Sequence, residues 1–354
     1  KQQLTKLLKE KQKRGKLNEY KNDFASFAEE QIKIITKDAS QGFVPFKLNA
    51  CQQIITEKLN EQLKETGKVR AIILKARQQG ISTYCAGRVF WKSYFTPYAR
   101  SVVMAHDSAT SDALFALSKN LIKQIDGDLS PTELRSNAKE IIINSPAMPN
   151  KDATASYRLY TAGSPEAGRG TTPTIAHLSE IAFWQHDEKI LAGLFQGISA
   201  AEGTEVILES TANGAQGEFY RLWKGALNGE NEYMPIFLPW YITDEYRREA
   251  PEGMELTIEE ETLVEKYGLD NDQLYWRRLP KVENLSFNRN TQQQLTKRLL
   301  LADLTCSTWS AWMPYCPDHS SEDQNGTHIA RCSTNTEKET STYTTFLSGK
   351  SPML

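Results

Sequence analysis

The stretch from Lys68 to Thr83 constrains what this chain can fold into more than any other part of it. Ala71 to Leu74, with the β-branched pair Ile72 and Ile73, reads as a short buried strand. It runs into a polar turn holding Gly80, and Ser82 and Thr83 then open a new periodic segment through Tyr84, Ala86, Val89 and Phe90. Strand, glycine turn, hydroxyl residue and helix together build an anion site. N–H groups at a helix N-terminus point at the anion, and the helix dipole favours negative charge. Against the phosphate-loop pattern G-x-x-x-x-G-K-[ST] the fit is partial. Gly80 and Ser82 fall in place, Lys75 takes the first glycine position, and Ile81 stands where the lysine belongs.

With 354 residues the chain can bury one large core or two ordinary ones. A formal charge of −2 neither requires nor excludes a nucleic-acid partner, which depends on local basic patches. No apolar run reaches the length of a membrane span, and the lysine-rich start lacks the apolar centre of a signal peptide, so no membrane partner is expected. Five cysteines are too few for a disulfide scaffold, so a reducing, cytoplasmic setting is expected.

Four regions are expected. Residues 1–40 read as a helical N-terminal arm, charged and solvated, with a basic first half from Lys6 to Lys16. Residues 41–243 alternate strands and helices at βαβ spacing, which argues an α/β, three-layer sandwich on a mainly parallel sheet. Within it, Met234 to Pro239 reads as an edge strand. Residues 244–300 read as a helical linker region and 301–354 as a polar, poorly structured tail.

Three strand ends carry the chemistry. The first is the loop, where Lys75, Gln78, Gln79, Gly80, Ser82 and Thr83 are candidates for holding a nucleotide's phosphates, and Ser82 for a magnesium ligand. The second is Thr174 to Glu180, which delivers Glu180 to the carboxyl edge of the sheet, where ligands of open α/β sheets bind. Glu180 is the candidate to orient and deprotonate an attacking water. The third is Glu205 to Gly214, where Thr211 and Asn213 are placed to sense a γ-phosphate. Triphosphate hydrolysis builds negative charge that a fixed cation must meet, and Ile81 supplies none. Arg77 is favoured for that task, because it lies in the loop and grips phosphate oxygens in a bidentate way; Lys75 is the runner-up. Upstream, Asn49 is a candidate helix N-cap, and either Gln52 or Gln53 offers the paired donor and acceptor that can read an adenine.

Taken together, Ala76 to Thr83, Ala167-Gly-Arg-Gly170, His177-Leu-Ser-Glu180 and Ser210-Thr-Ala-Asn-Gly214 resemble the ATPase domain of tailed-phage terminase large subunits. The resemblance covers about Phe43 to Tyr241 and implies a P-loop NTPase-like fold, ATP with Mg2+, and translocation of double-stranded DNA into a procapsid. The implied partners are a portal protein, a terminase small subunit and further copies in a homo-oligomeric ring. It points to Gln52 over Gln53 as the adenine reader. Ser210, Thr211, Asn213 and Gly214 become the motif coupling hydrolysis to movement, and Arg169 a residue coordinating neighbouring subunits or phosphate. Two departures stand out. The usual Asp before the catalytic Glu is Ser179, so a carboxylate near the magnesium is lost and the Ser179 hydroxyl is left to hold a metal-bound water. The family's C-terminal nuclease pattern is not found after Thr243, so the tail reads as a truncated or frame-shifted end and no nuclease activity is expected.

Other readings stay plain. Cys306, Cys316, His319, His328 and Cys332 match no paired metal-ligand spacing and are read as incidental. His106 and His177 are read as strand or turn residues, and Trp184, Trp223 and Trp240 as core or subunit-contact aromatics. A helicase-like DNA-dependent ATPase and a non-catalytic prophage remnant serving as a binding module are the alternative functions.

Overall fold

The computed structural model describes residues 2–36, 38–164, 166–279, 320–322 and 328–330. The chain opens with α1 (Gln2–Asn22) and α2 (Phe24–Gln31), then pairs β1 (Lys33–Ile35) antiparallel with β2 (Phe43–Pro45). Next come α3 (Ala50–Thr66), β3 (Val69–Lys75), α4 (Ile81–Phe95), β4 (Arg100–Ala105) and α5 (Ser108–Gln124). A meander of β5 (Thr132–Ser136), β6 (Glu140–Asn144) and β7 (Ala155–Thr161) leads to β8 (Ile175–Ser179), α6 (Asp187–Phe195), β9 (Glu205–Thr211), α7 (Gly217–Leu227) and β10 (Met234–Leu238). Two helices follow, α8 (Ile258–Tyr267) and α9 (Asn271–Arg278).

The central sheet has eight strands in the order β10-β3-β9-β8-β4-β7-β6-β5. Neighbours from β10 through β7 are parallel, and β6 and β5 are added antiparallel at one edge. Because β8 and β9 come later in the chain yet insert between β3 and β4, the carboxyl end of β3 opens onto a crevice of the kind that holds ligands in such sheets.

The sheet is covered on both faces. Every residue of β3 is buried, and alternate positions serve opposite sides. Val69, Ala71 and Ile73 join a core with α2, α3, α4 and α5, whereas Ile72 and Leu74 join one with α6 and α7. This is the expected α/β sandwich on a mostly parallel sheet, with β10 at its edge as its prolines imply.

The start of the chain differs from the solvated arm read above. Helix α1 is largely exposed, but α2 buries Phe24, Phe27 and Ala28, and the Trp91 indole N–H donates to the Tyr20 carbonyl at 2.6 Å. The high charge of this stretch hides an aromatic pair one helical turn apart, and that pair anchors it to α4. Strand β5 leaves no signal in the sequence, since all its residues are exposed and it carries no alternating pattern. Among the described residues no helix is long and apolar enough to cross a membrane.

The chain forms two compact units, Lys1–Arg298 and Leu299–Leu354. In the second, β11 (Ser320–Glu322) pairs antiparallel with β12 (His328–Ala330). The rest of the polar tail, with Cys306, Cys316, His319 and Cys332, lies outside the described residues.

Candidate active site

The loop between β3 and α4 is a closed turn. Ala76 N–H donates to Leu238 O at 3.2 Å and to Gln79 Oε1 at 2.9 Å, which folds the loop back on its own start. Gln78 and Gly80 adopt left-handed backbone angles, with φ of 59° and 73°. Glycine takes the angle at 80 without strain, and a Cβ there would lie 2.9 Å from Gln52 Nε2. From α3, Asn49 Nδ2 donates to Gln79 O at 3.2 Å and Gln52 Nε2 to Gly80 O at 2.9 Å, so the carbonyls are tied back. The amides stay open: among the described residues no backbone N–H from Arg77 to Thr83 has a hydrogen-bond partner. The exposed Arg77 side chain makes no hydrogen bond or ion pair with a described residue, while its carbonyl accepts from the Tyr246 hydroxyl. Free amides at a helix start beside a free guanidinium make an anion cradle.

Next to it lies a buried charge cluster. Lys75, at the end of β3 and 5% exposed, places Nζ 2.7 Å from Glu180 Oε1 and 3.1 Å from Glu209 Oε2. The second contact is an ion pair without hydrogen-bond alignment. Burial works against the Lys75 charge, but Glu209 and Glu180 outweigh it and hold the ammonium above its ordinary range. Burial likewise opposes the Glu209 charge, and Lys75 with His177 overcomes it, holding the carboxyl well below the usual carboxylate range. Glu209 Oε1 also accepts from Ser82 Oγ at 3.3 Å and lies 3.2 Å from His177 Nε2. Glu180 sits just past β8 with φ of 54°, a left-handed angle uncommon for a non-glycine residue. Its Oε2 accepts from Thr211 N–H and Thr211 Oγ1, each at 3.0 Å.

An anion cradle after β3 and a carboxylate after β8, on the same edge of the sheet, allow a phosphoryl oxygen and a water to be held together. A similar fold occurs in a solved structure. The HK97 bacteriophage large terminase superposes with a TM-score of 0.51 at 18% identity, over 77% of this chain and 55% of that one. This chain has the fold of a phage large terminase. It spans little more than half the length of the HK97 terminase. The Thermus phage P74-26 large terminase ATPase domain matches at 15% identity and a TM-score of 0.42, over 66% of this chain and 92% of that one. The large terminase of a thermophilic bacteriophage, solved in complex with ATP-γ-S, matches at 10% identity and a TM-score of 0.42, over 66% of this chain and 50% of that one. No protein-family model matches the sequence, and no curated protein matches it.

Within this terminase fold several of the residues read from the sequence also make contacts that hold the loop together. Gln52 is 3% exposed; its Oε1 accepts from Asn49 N–H, capping α3, and its Nε2 donates to Gly80 O. Gln53 instead donates to Leu48 O. The Gln79 side chain is committed to Ala76, Pro239 and Thr243, which leaves its backbone to face a ligand. Lys75 is neutralised in the cluster, and Arg77 is left as the open cation of the loop.

The β9 end points at Glu180 and its turn. Thr211 binds the Glu180 carboxylate, Ser210 Oγ lies 3.4 Å from it, and Asn213 Nδ2 donates to Ala182 O at 2.8 Å. Gly214, at φ of 83°, ends that strand's turn. Ser179 is buried, and its Oγ makes no aligned hydrogen bond. Arg169 is exposed, lays its stem across Gly193 of α6, and forms no ion pair with a carboxylate of the described residues.

Glu209 and the Asn49 anchor were missed as site residues. A signal existed for Glu209, since a carboxylate inside a fully buried strand needs a partner to keep its charge.

Proposed function

We propose that this chain is an ATPase, and that it drives double-stranded viral DNA into a procapsid as the motor subunit of a terminase. What carries the reading is the pairing, on one sheet edge, of unpartnered amides and Arg77 after β3 with Glu180 after β8. The phosphates of ATP dock on the loop amides from Arg77 to Thr83, and the Arg77 guanidinium takes up charge that develops on the γ-phosphoryl group. Glu180 orients a water and receives its proton as the oxygen attacks phosphorus and the bond to ADP breaks, giving ADP and phosphate.

The Ser82 hydroxyl, half-buried at the start of α4 beside the Glu209 carboxylate, has the oxygen chemistry that magnesium takes. When bound with ATP, magnesium neutralises charge on the phosphate oxygens. Thr211 reports on Glu180, so a shift of that carboxylate during turnover moves the β9 end; this is the proposed route from hydrolysis to movement on DNA.

DNA, the portal protein, the terminase small subunit and neighbouring copies in a ring are the proposed partners, with Arg169 facing a neighbour. DNA held through its phosphates releases steeply as salt rises. The test is phosphate release from MgATP by the full chain, alone and with double-stranded DNA and portal protein. Turnover that rises with those partners supports the motor. A second reading, a non-catalytic binding module, is favoured by the full engagement of the Glu180 carboxylate, and it predicts nucleotide binding without phosphate release in every condition.

A further inference from the structure

We infer that Glu209 is a positioning residue for the metal–nucleotide complex, supplying from β9 the carboxylate that the terminase resemblance places at position 179 on β8. The inference rests on the ATPase reading above and deepens it. In the parallel pairing of the two strands Ser179 is registered directly opposite Glu209. Adjacent strands lie about 4.8 Å apart. A carboxylate absent from one strand is therefore present on the next, at the same level of the sheet, on a side chain one methylene longer than Asp.

Three observations give Glu209 this task. The Ser82 hydroxyl reaches its Oε1 at 3.3 Å. A serine whose hydrogen is directed to a carboxylate keeps its oxygen lone pairs for a cation. The bond is long, as such contacts often are before a ligand draws the groups into line. His177 Nε2 and Lys75 Nζ hold the rest of the carboxylate, so it is fixed in place and charged. Finally, the buried Ser179 Oγ makes no aligned hydrogen bond of its own, and its residue is registered directly opposite Glu209. The two positions thus share one polar spot, and Glu209 carries its charge.

The competing explanation is structural: Glu209 only neutralises Lys75. Calorimetric titration of the chain with ATP-γ-S, in magnesium and in EDTA, separates the two. The wild type is expected to bind more tightly with magnesium. Glu209→Gln should keep its metal-free affinity and lose about tenfold or more of the magnesium gain, the size of loss seen when an outer hydrogen-bond partner of a metal site is removed. The double variant Ser179→Asp with Glu209→Gln should recover that gain. Ser82→Ala combined with Glu209→Gln should lose no more than the worse single variant, because both act through one contact.

An unchanged magnesium gain in Glu209→Gln overturns the inference, as does equal loss in both conditions or failure of Ser179→Asp to restore it. Should Glu209→Gln not fold, Ser179→Asp in the wild-type background decides: a carboxylate added beside an existing one weakens or leaves unaltered the magnesium gain if Glu209 holds the role, and a stronger gain overturns it. A wild-type chain that binds no nucleotide in either condition removes the ATPase reading itself, an outcome distinct from all of these.

Discussion

Lys75 Nζ lies 2.7 Å from Glu180 Oε1, so the end of β3 is tied directly to the residue that follows β8. The same ammonium faces Glu209, and one buried cation thus holds two carboxylates from two further strand ends. Glu180 is held by Lys75 on one oxygen and by Thr211 on the other. In the proposed ATPase, a phosphate docked on the loop would bring negative charge toward Lys75, weaken its hold on Glu180 and release the carboxylate for water.

Removing that cation tests how far it organises the edge. Lys75→Met should cost about 3–5 kcal/mol, the usual result of leaving a buried charge unpaired. The pH dependence follows from the sign of the Glu209 shift. Its folded carboxyl is held below the ordinary value near 4.5, so in the wild type its contribution is present above that value and is lost as pH falls through the folded one. Without Lys75, the largest opposition to burial is gone and the carboxyl moves upward, so acid should hurt the variant less. Urea unfolding at about pH 7 and about pH 4, on either side of the ordinary carboxylate value, should show the gap between the two proteins narrowing in acid. An equal gap at both would mean that Lys75 does not set the Glu209 charge.

Glu180→Gln should abolish turnover while sparing nucleotide affinity. The amide keeps the size of the side chain and an acceptor for Thr211, yet it cannot take a proton. Phosphate release should fall by about 10² to 10⁴-fold, the range for losing a general base. Calorimetry with ATP-γ-S should give an affinity near that of the wild type. If turnover persists at the original rate, another group activates the water.

Arg77→Ala should act on both steps. Its guanidinium is open in the structure, and the neighbouring Lys75 is already neutralised, so no other cation of the loop can replace it. Nucleotide affinity and turnover should both drop, and added guanidinium ion should restore part of the rate. Wild-type kinetics in this variant would shift the role to a cation from outside the loop.

Much of this arrangement was legible in the sequence because it follows local rules. The apolar run ending in Lys75, the glycine at 80 and the hydroxyl at 82 set a strand, a left-handed turn and a helix start in fixed order. The α/β sandwich followed from alternation of such units. What escaped depended on distant partners. Glu209 reads as one more polar residue near a strand end until β3 and β8 flank it and Lys75, Ser82 and His177 converge on it. Phe24 and Phe27 sit in a stretch whose mean charge is high, and only α4 shows that their face is buried. Gln52 has the right residue type to read a base, but residue type does not reveal that its amide also bonds Asn49 and Gly80.

Gln52→Ala separates those two roles. In the structure the side chain closes a capping box on α3 and fastens Gly80 O, so its loss loosens the loop that carries the phosphate-facing amides. Stability should fall by about 1 kcal/mol, the usual worth of such a cap. Because the amide holds the loop, its loss should weaken the affinities for ATP and GTP by the same factor. A base-reading glutamine would behave otherwise: its removal would weaken ATP alone and level the two nucleotides. Competition binding with both on the same variant decides, and a selective loss of ATP would return Gln52 to the role its position suggests.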